Sequence, residues 1–220
     1  MRLQPGDGVL LFNGCDGEWL ARVETVAKRG GELIVQDQTR PLMLPPDLWL
    51  LFAPIKKART DFIVEKATEL GAARIVPVQT AFTNSERIRQ DRLQAHAVEA
   101  AEQCGGTFVP QVTELQPLSR LLDDWPEGRQ LMFCDEAAAG RSSALTGDVA
   151  GQSEDARQGG GASHWAILIG PEGGFSDPER ARLRALPFAH VISLGPRILR
   201  ADTAAVAALA LWQHHLGDWR

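Results

Sequence analysis

From residue 48 onward, short and almost wholly apolar segments alternate with segments of helical period, and this alternation limits the fold more than any other feature. The apolar segments are "LWLLFAP" at 48–54, "RIVPV" at 74–78, "QLMFC" at 130–134, "HWAILIG" at 164–170 and "HVISLG" at 190–195. Helices are predicted over about 58–70, 86–104, from about 177, and 202–216. A strand such as "AILI", with no polar residue in alternation, must be covered on both faces. Strands separated by helices pair in parallel through right-handed crossovers, so an α/β fold with a mostly parallel sheet is expected. In the first helix Ile63, Ala67 and Leu70 share one face, and Gly71 stands where a left-handed C-cap ends it.

Residues 1–53 keep a different rhythm. "GVLLF", "EWLARVETV" and "GELIVQD" alternate with period two and are separated by "NGCDG" and "KRGG", which carry the Asn, Asp and Gly of tight hairpin turns. The chain is therefore expected to divide into a small antiparallel β module over 1–46 and an α/β domain over 47–220, with Pro41, Pro45 and Pro46 in the connection. Within the second domain, "AAAGRSSALTGDVAGQSEDARQGGGAS" at 137–163 is small, polar, Gly-rich and without period. It reads as a mobile surface insertion, not a site.

The formal charge of −5 argues against a protein that coats nucleic acid non-specifically. Its distribution is uneven: Lys56 to Arg92 holds eight Lys/Arg against five acids, and Glu99 to Asp155 holds eleven acids against three Arg. Cys15, Cys104 and Cys134 are odd in number and lack C-x-x-C spacing, so neither a disulfide framework nor a zinc site is indicated and a reducing cytoplasm fits. His214 and His215 are adjacent at a helix end and expected to point to different faces, and His96 has no evident partner, so no metal is expected. The longest apolar run, "AAVAALALW" at 204–212, has nine residues where a membrane span needs about twenty, and Pro5-Gly6-Asp7 interrupts any signal-like start.

Two stretches carry chemistry, "ILIGPEGGFSDPER" at 167–180 and "SLGPRILRADTAA" at 193–205. Each runs from an apolar strand through Gly-Pro into a helix. In the first, Ser176 and Glu179 form a capping box with Pro178 in the opening turn. A bare strand-to-helix connection does not require Gly170-Pro171-Glu172-Gly173-Gly174 before it, and the carboxyl edge of a parallel sheet is where ligands bind. Glycines there let a ligand meet the backbone. Glu172 replaces a glycine of the dinucleotide fingerprint and would repel pyrophosphate. A neutral or cationic ligand without phosphates follows, which favours S-adenosylmethionine over NAD or ATP. The second turn adds Arg197 and Arg200, with Asp202 or Thr203 expected to cap the last helix.

Together, "LIGPEGGFS" and "LGPRILRADTAA" resemble the C-terminal signature of the SPOUT methyltransferases, specifically the RsmE family; "KATELGAARIVPV", "SERI" and "EAAEQCG" resemble its upstream motifs. The resemblance spans essentially the whole chain. It implies methylation of N3 of a uridine, number 1498 in 16S rRNA of the small ribosomal subunit, by a homodimer. It also implies a deep trefoil knot in the C-terminal domain and a PUA-like, RNA-binding β-barrel module before it. S-adenosylmethionine would lie bent between the two turns, against Leu168, Gly170, Pro171, Glu172, Gly173, Leu194, Gly195, Ile198 and Leu199. The resemblance implies a further segment before the part matching "RLQPGD", so either the start codon is misassigned or the module is incomplete, and Gly106 and Phe108 stand where many relatives have arginine.

Because the uracil N3–H is weakly acidic, an arginine over the carbonyls would assist transfer as an oxyanion hole does, a role that falls to Arg200. Arg197 would orient the loop or bind phosphate, and Lys56, Lys57, Arg59, Arg87 and Arg89 would hold the RNA backbone. The alternatives are a related enzyme acting on another base or a ribose 2′-hydroxyl, and a non-catalytic RNA-binding ribosome-assembly protein.

Overall fold

A computed structural model of the chain describes residues 3–85, 87–140 and 164–219. It forms two compact units, Met1–Leu44 with Ala101–Val109, and Pro45–Ala100 with Pro110–Arg220.

In the first unit β1 (Gly8–Phe12), β2 (Glu18–Val26) and β3 (Gly31–Arg40) make an antiparallel meander in the order β1-β2-β3. The central strand buries Ala21 and Val23, whereas Leu33, Ile34 and Val35 of β3 stay about half exposed. Alternation in β3 therefore yields no inward face, because a three-stranded sheet encloses little on either side of its outer strand. Thr107 ties the 101–109 segment to this unit: its hydroxyl donates to the Pro41 carbonyl at 3.2 Å and accepts from the Met43 N–H at 2.9 Å.

The second unit runs β4 (Leu48–Phe52), α1 (Lys57–Glu69), β5 (Arg74–Gln79), α2 (Gln90–Cys104, whose last turn belongs to the first unit), β6 (Gln111–Val112), β7 (Gln116–Pro117), α3 (Leu118–Asp123), β8 (Gln130–Cys134), a 3-10 turn (Glu136–Ala138), β9 (Trp165–Ile169), α4 (Asp177–Ala185), β10 (Ala189–Ile192) and α5 (Ala201–His215). The strands order as β10-β8-β9-β4-β5-β6, with β7 also on β5, and every pair is parallel. One face of the sheet, with Leu51, Val76, Leu131, Phe133, Ala166 and Leu168, packs on Leu118 and Leu122 of α3 and Leu183 of α4. Residues of the other parity are buried too, on the side where α5 packs against β9 and α1. Double coverage explains the unbroken apolar strands.

Four local expectations change. The second helix opens at Gln90, not at 86, because the Arg89 carbonyl receives the first helical N–H groups and the Ser85 hydroxyl donates to the Arg87 carbonyl. The last helix is capped by Arg200, not by Asp202 or Thr203; Asp202 lies inside the first turn, accepts from the Thr203 N–H and pairs with Arg59 at 3.6 Å. His96 does have partners, Arg92, Glu65 and Asp61. The rings of His214 and His215 meet edge to face at 4.9 Å instead of diverging. Of the segment 137–163, residues 141–163 lie outside the described residues, and Ala138 is buried. Among the described residues no helix is long and apolar enough to cross a membrane, and no cluster of His, Cys, Asp and Glu could hold a metal.

Gln213 locks α5 to α1. It is fully buried, donates from Nε2 to the Leu70 carbonyl at 2.7 Å and accepts the Asp218 N–H on Oε1 at 3.2 Å. Gln213→Leu strands that carbonyl at the end of α1, and a loss of about 1–3 kcal/mol is expected from urea titration of the two proteins.

Candidate functional site

β8, β9 and β10 are adjacent and parallel, so their carboxyl ends reach one edge of the sheet together. The segments that leave them, with the first turn of α5, enclose a cleft of about 220 Å³. Cys134, Asp135, Glu136 and Ala139 come from the exit of β8, Ile169 to Glu172 from β9, and Ile192, Leu194, Gly195 and Arg197 to Leu199 from β10; Arg200, Ala201 and Ala204 close it.

The exit of β9 is held by local chemistry. The Gly174 N–H donates to the Pro171 carbonyl at 2.9 Å, closing a turn around "PEGG". The expected capping box is present: Ser176 Oγ accepts the Glu179 N–H, and Glu179 Oε2 accepts the Ser176 N–H at 2.9 Å. Glu179 Oε1 also accepts the Ala81 N–H at 2.8 Å, fixing the loop after β5 against α4.

The glycines of this turn serve the protein's own packing. A Cβ on Gly170 would meet the Phe175 ring, one on Gly173 would meet Phe82, and one on Gly174, whose φ is +68°, would fall on the Glu136 carboxylate. In the second turn Gly195 stands open. Gly195 lines the cleft with φ +113°, nothing stands within 4 Å of where its Cβ would be, and its carbonyl accepts the Gly140 N–H at 3.0 Å.

The floor is charged but internally balanced. Asp135 has no side-chain exposure; Oδ1 accepts from the Ala137 N–H and from Arg180 Nε at 3.2 Å, and Oδ2 from Arg184 at 2.6 Å. Arg180 also pairs with Glu136. Burial pushes the Cys134 thiol far above its usual range, so it lies in the wall as a neutral group. Glu172, Arg197 and Arg200 are exposed at the opening, and neither arginine is in an ion pair among the described residues.

Of the residues expected to hold a cofactor, Gly170, Pro171, Glu172, Leu194, Gly195, Ile198 and Leu199 meet in this cleft. Leu168 points into the core beside Phe133 and Phe175, and Gly173 faces Phe82. The candidate RNA contacts Lys56, Lys57, Arg87 and Arg89 are exposed; Arg89 pairs with Asp91, and Arg59 with Asp202. Sequence reasoning missed Asp135, Glu136 and Ala139. The available signal was the position of "CDE" directly after an apolar parallel strand, which marks the same edge of the sheet.

A family model described as an RNA methyltransferase domain matches residues 43–213, every residue lining the cleft included. The ribosomal RNA small subunit methyltransferase E of Rickettsia conorii is 29% identical over 210 residues, covering 96% of this chain and 82% of that one. Its counterpart in Synechocystis is 32% identical over 216 residues, with 96% and 67% covered. This chain belongs to the RsmE family of RNA methyltransferases. A second family model, an RNA methyltransferase PUA domain, matches residues 1–36. Among solved RsmE structures, that of Neisseria gonorrhoeae bound to S-adenosyl methionine aligns with a TM-score of 0.83 at 28% identity, covering 100% of this chain and 87% of that one.

Proposed function

We propose that the protein methylates N3 of a specific uridine in 16S rRNA of the small ribosomal subunit, uridine 1498 in the family's numbering, with S-adenosylmethionine as donor. The observation that carries this is the cleft itself, with a backbone opened at Gly195 and, on the same segment after β10, two arginines that carry no ion pair among the described residues. Its chemistry fits the donor. Ile169, Ile192 and Leu199 offer apolar surface to a flat heterocycle, and Glu172 suits a cationic ligand without phosphates. Gly170, Pro171, Leu194 and Gly195 would present backbone groups to it.

When bound, the donor supplies an electrophilic methyl group on a sulfonium. The chain's own contribution is to the nucleophile. Loss of the N3 proton to solvent leaves negative charge spread over N3 and the two carbonyl oxygens of uracil, and Arg200 holds that charge where water would have to reorganise to do so. Arg197 steadies the loop or takes a phosphate. Lys56, Lys57, Arg59, Arg87 and Arg89 bind the RNA backbone, and the target base leaves its stack to be reached. The protein works in the cytoplasm as a homodimer with its cleft near the interface. Residues 47–220 form a knotted SPOUT domain, and residues 1–46 belong to a PUA-like barrel.

Titration calorimetry with S-adenosylmethionine tests the cofactor assignment. Gly195→Ala both strains the backbone and fills the open wall, so affinity is expected to fall about tenfold or more with the circular dichroism unchanged. Equal affinity in the two proteins would move the cofactor elsewhere, and no binding by the native protein would favour a non-catalytic RNA-binding role.

A further inference from the structure

A second cavity, of about 330 Å³, opens where β4 gives way to α1. Phe52 of β4 is paired with Ile169 of β9, and the Ala53 N–H donates to the Ile169 carbonyl at 3.0 Å. The exit of β4 therefore runs beside the exit of β9, and this cavity shares the sheet edge that carries the cleft. Its floor is apolar, with Ile55 and Leu93 buried, and its walls hold four cations, Lys57, Arg87, Arg89 and Arg92.

Among the described residues, the acids nearby do not cancel that charge. Asp61 is the acidic residue in the lining and is paired with Arg92. Arg89 is engaged by Asp91 at 2.7 Å. Lys57 and Arg87 carry no ion pair among the described residues, and they approach from separate segments, α1 and the loop before α2. Lys57 stands on the opening turn of α1, whose N-terminus has no side-chain cap and adds a partial positive charge on the same side.

We infer that this cavity is a phosphodiester subsite, holding the single-stranded RNA that flanks the nucleotide in the cleft, with Lys57 and Arg87 as its two phosphate contacts. The inference presupposes the methyltransferase activity proposed above and adds to it where the strand runs: along the carboxyl edge of the sheet, from Arg200 past Arg59 to the mouth of α1. Arg59 pairs with Asp202 of α5 and is not in the lining of this cavity, so it is not one of the subsite's two contacts. A strand whose target base is out of its stack exposes its neighbouring phosphates, and two cations over an apolar floor suit one such nucleotide.

The test is fluorescence anisotropy of a fluorescein-labelled oligouridylate on the full chain at about 50 and 200 mM salt. Each phosphate contact to a single strand contributes a slope of about 0.7, so the native protein should lose roughly sevenfold more affinity over that range than K57Q/R87Q does. K57R/R87K should keep the native slope, and all three proteins should bind S-adenosylmethionine equally by calorimetry. An unchanged slope in K57Q/R87Q overturns the subsite. So does displacement of the oligouridylate by inorganic phosphate at constant ionic strength, which would make the cavity a free-anion site. Native protein that shows the expected slope but does not bind S-adenosylmethionine would instead overturn the methyltransferase assignment and leave the subsite standing.

Discussion

Arg200→Ala is expected to lower methyl transfer to ribosomal RNA by about 10²–10³-fold, with S-adenosylmethionine affinity within the native order of magnitude; single-turnover assays and calorimetry measure the two. The size follows from the role. A preorganised donor facing a developing oxyanion is worth most in the transition state and little in the ground state. The Arg200 carbonyl accepts the Ala204 N–H at 2.7 Å as the N-cap of α5, and its side chain is exposed at the cleft. An exposed side chain without an ion pair leaves little stability to lose, so a fall in activity would not reflect unfolding. Arg200→Lys should recover only part of the rate, because a point charge replaces a planar fork of donors. Retained turnover in Arg200→Ala would remove the arginine from the chemistry.

Arg129→Met is the substitution expected to cost most in stability, about 3 kcal/mol or more at neutral pH by urea titration. Arg129 is at the amino end of the sheet, opposite the cleft edge, with 6% of its side chain exposed. It donates to the Trp165 carbonyl at 2.8 Å and to Asp47 Oδ2 at 2.7 Å, and its guanidinium lies 3.8 Å from the centroid of the Trp49 ring. Arg74 stacks on the same ring at 4.8 Å. Methionine fills the space but removes the guanidinium's bond to the Trp165 carbonyl and leaves the Asp47 carboxylate with His164 alone.

The same cluster gives the effect a pH dependence. Burial pushes the Asp47 carboxyl up, but hydrogen bonds from Arg129 and His164 and their charges outweigh it and hold the group below its ordinary 3.8. A carboxyl whose folded value lies below its unfolded one contributes stability above pH 3.8, and this contribution disappears as pH falls through the folded value. The gap between native protein and Arg129→Met should therefore narrow in acid below that point. A gap that does not change would mean the Asp47 pairing contributes nothing.

Local pattern and tertiary context contribute different parts of this structure. Strands β4, β8 and β9 are visible in the sequence because coverage on both faces demands unbroken apolar runs, and the Ser176–Glu179 box is visible because its partners are three residues apart. Asp135 is not visible: its importance comes from Arg180 and Arg184, which lie 45 and 49 residues away. The glycines of "GPEGG" show that a side chain is excluded, yet only the fold shows that Phe175, Phe82 and Glu136 occupy the space and that Gly195 is an open position. Strand β3 shows the reverse case, an alternating pattern whose apolar residues remain in solvent.

Methyl transfer with mapping of the product tests the central claim most directly. The protein is incubated with labelled S-adenosylmethionine and small ribosomal subunits from a strain lacking the modification, and the nucleosides are then resolved by mass spectrometry. The account predicts 3-methyluridine at a single position of 16S rRNA. Label on a ribose 2′-hydroxyl, or no label in RNA at all, would contradict it.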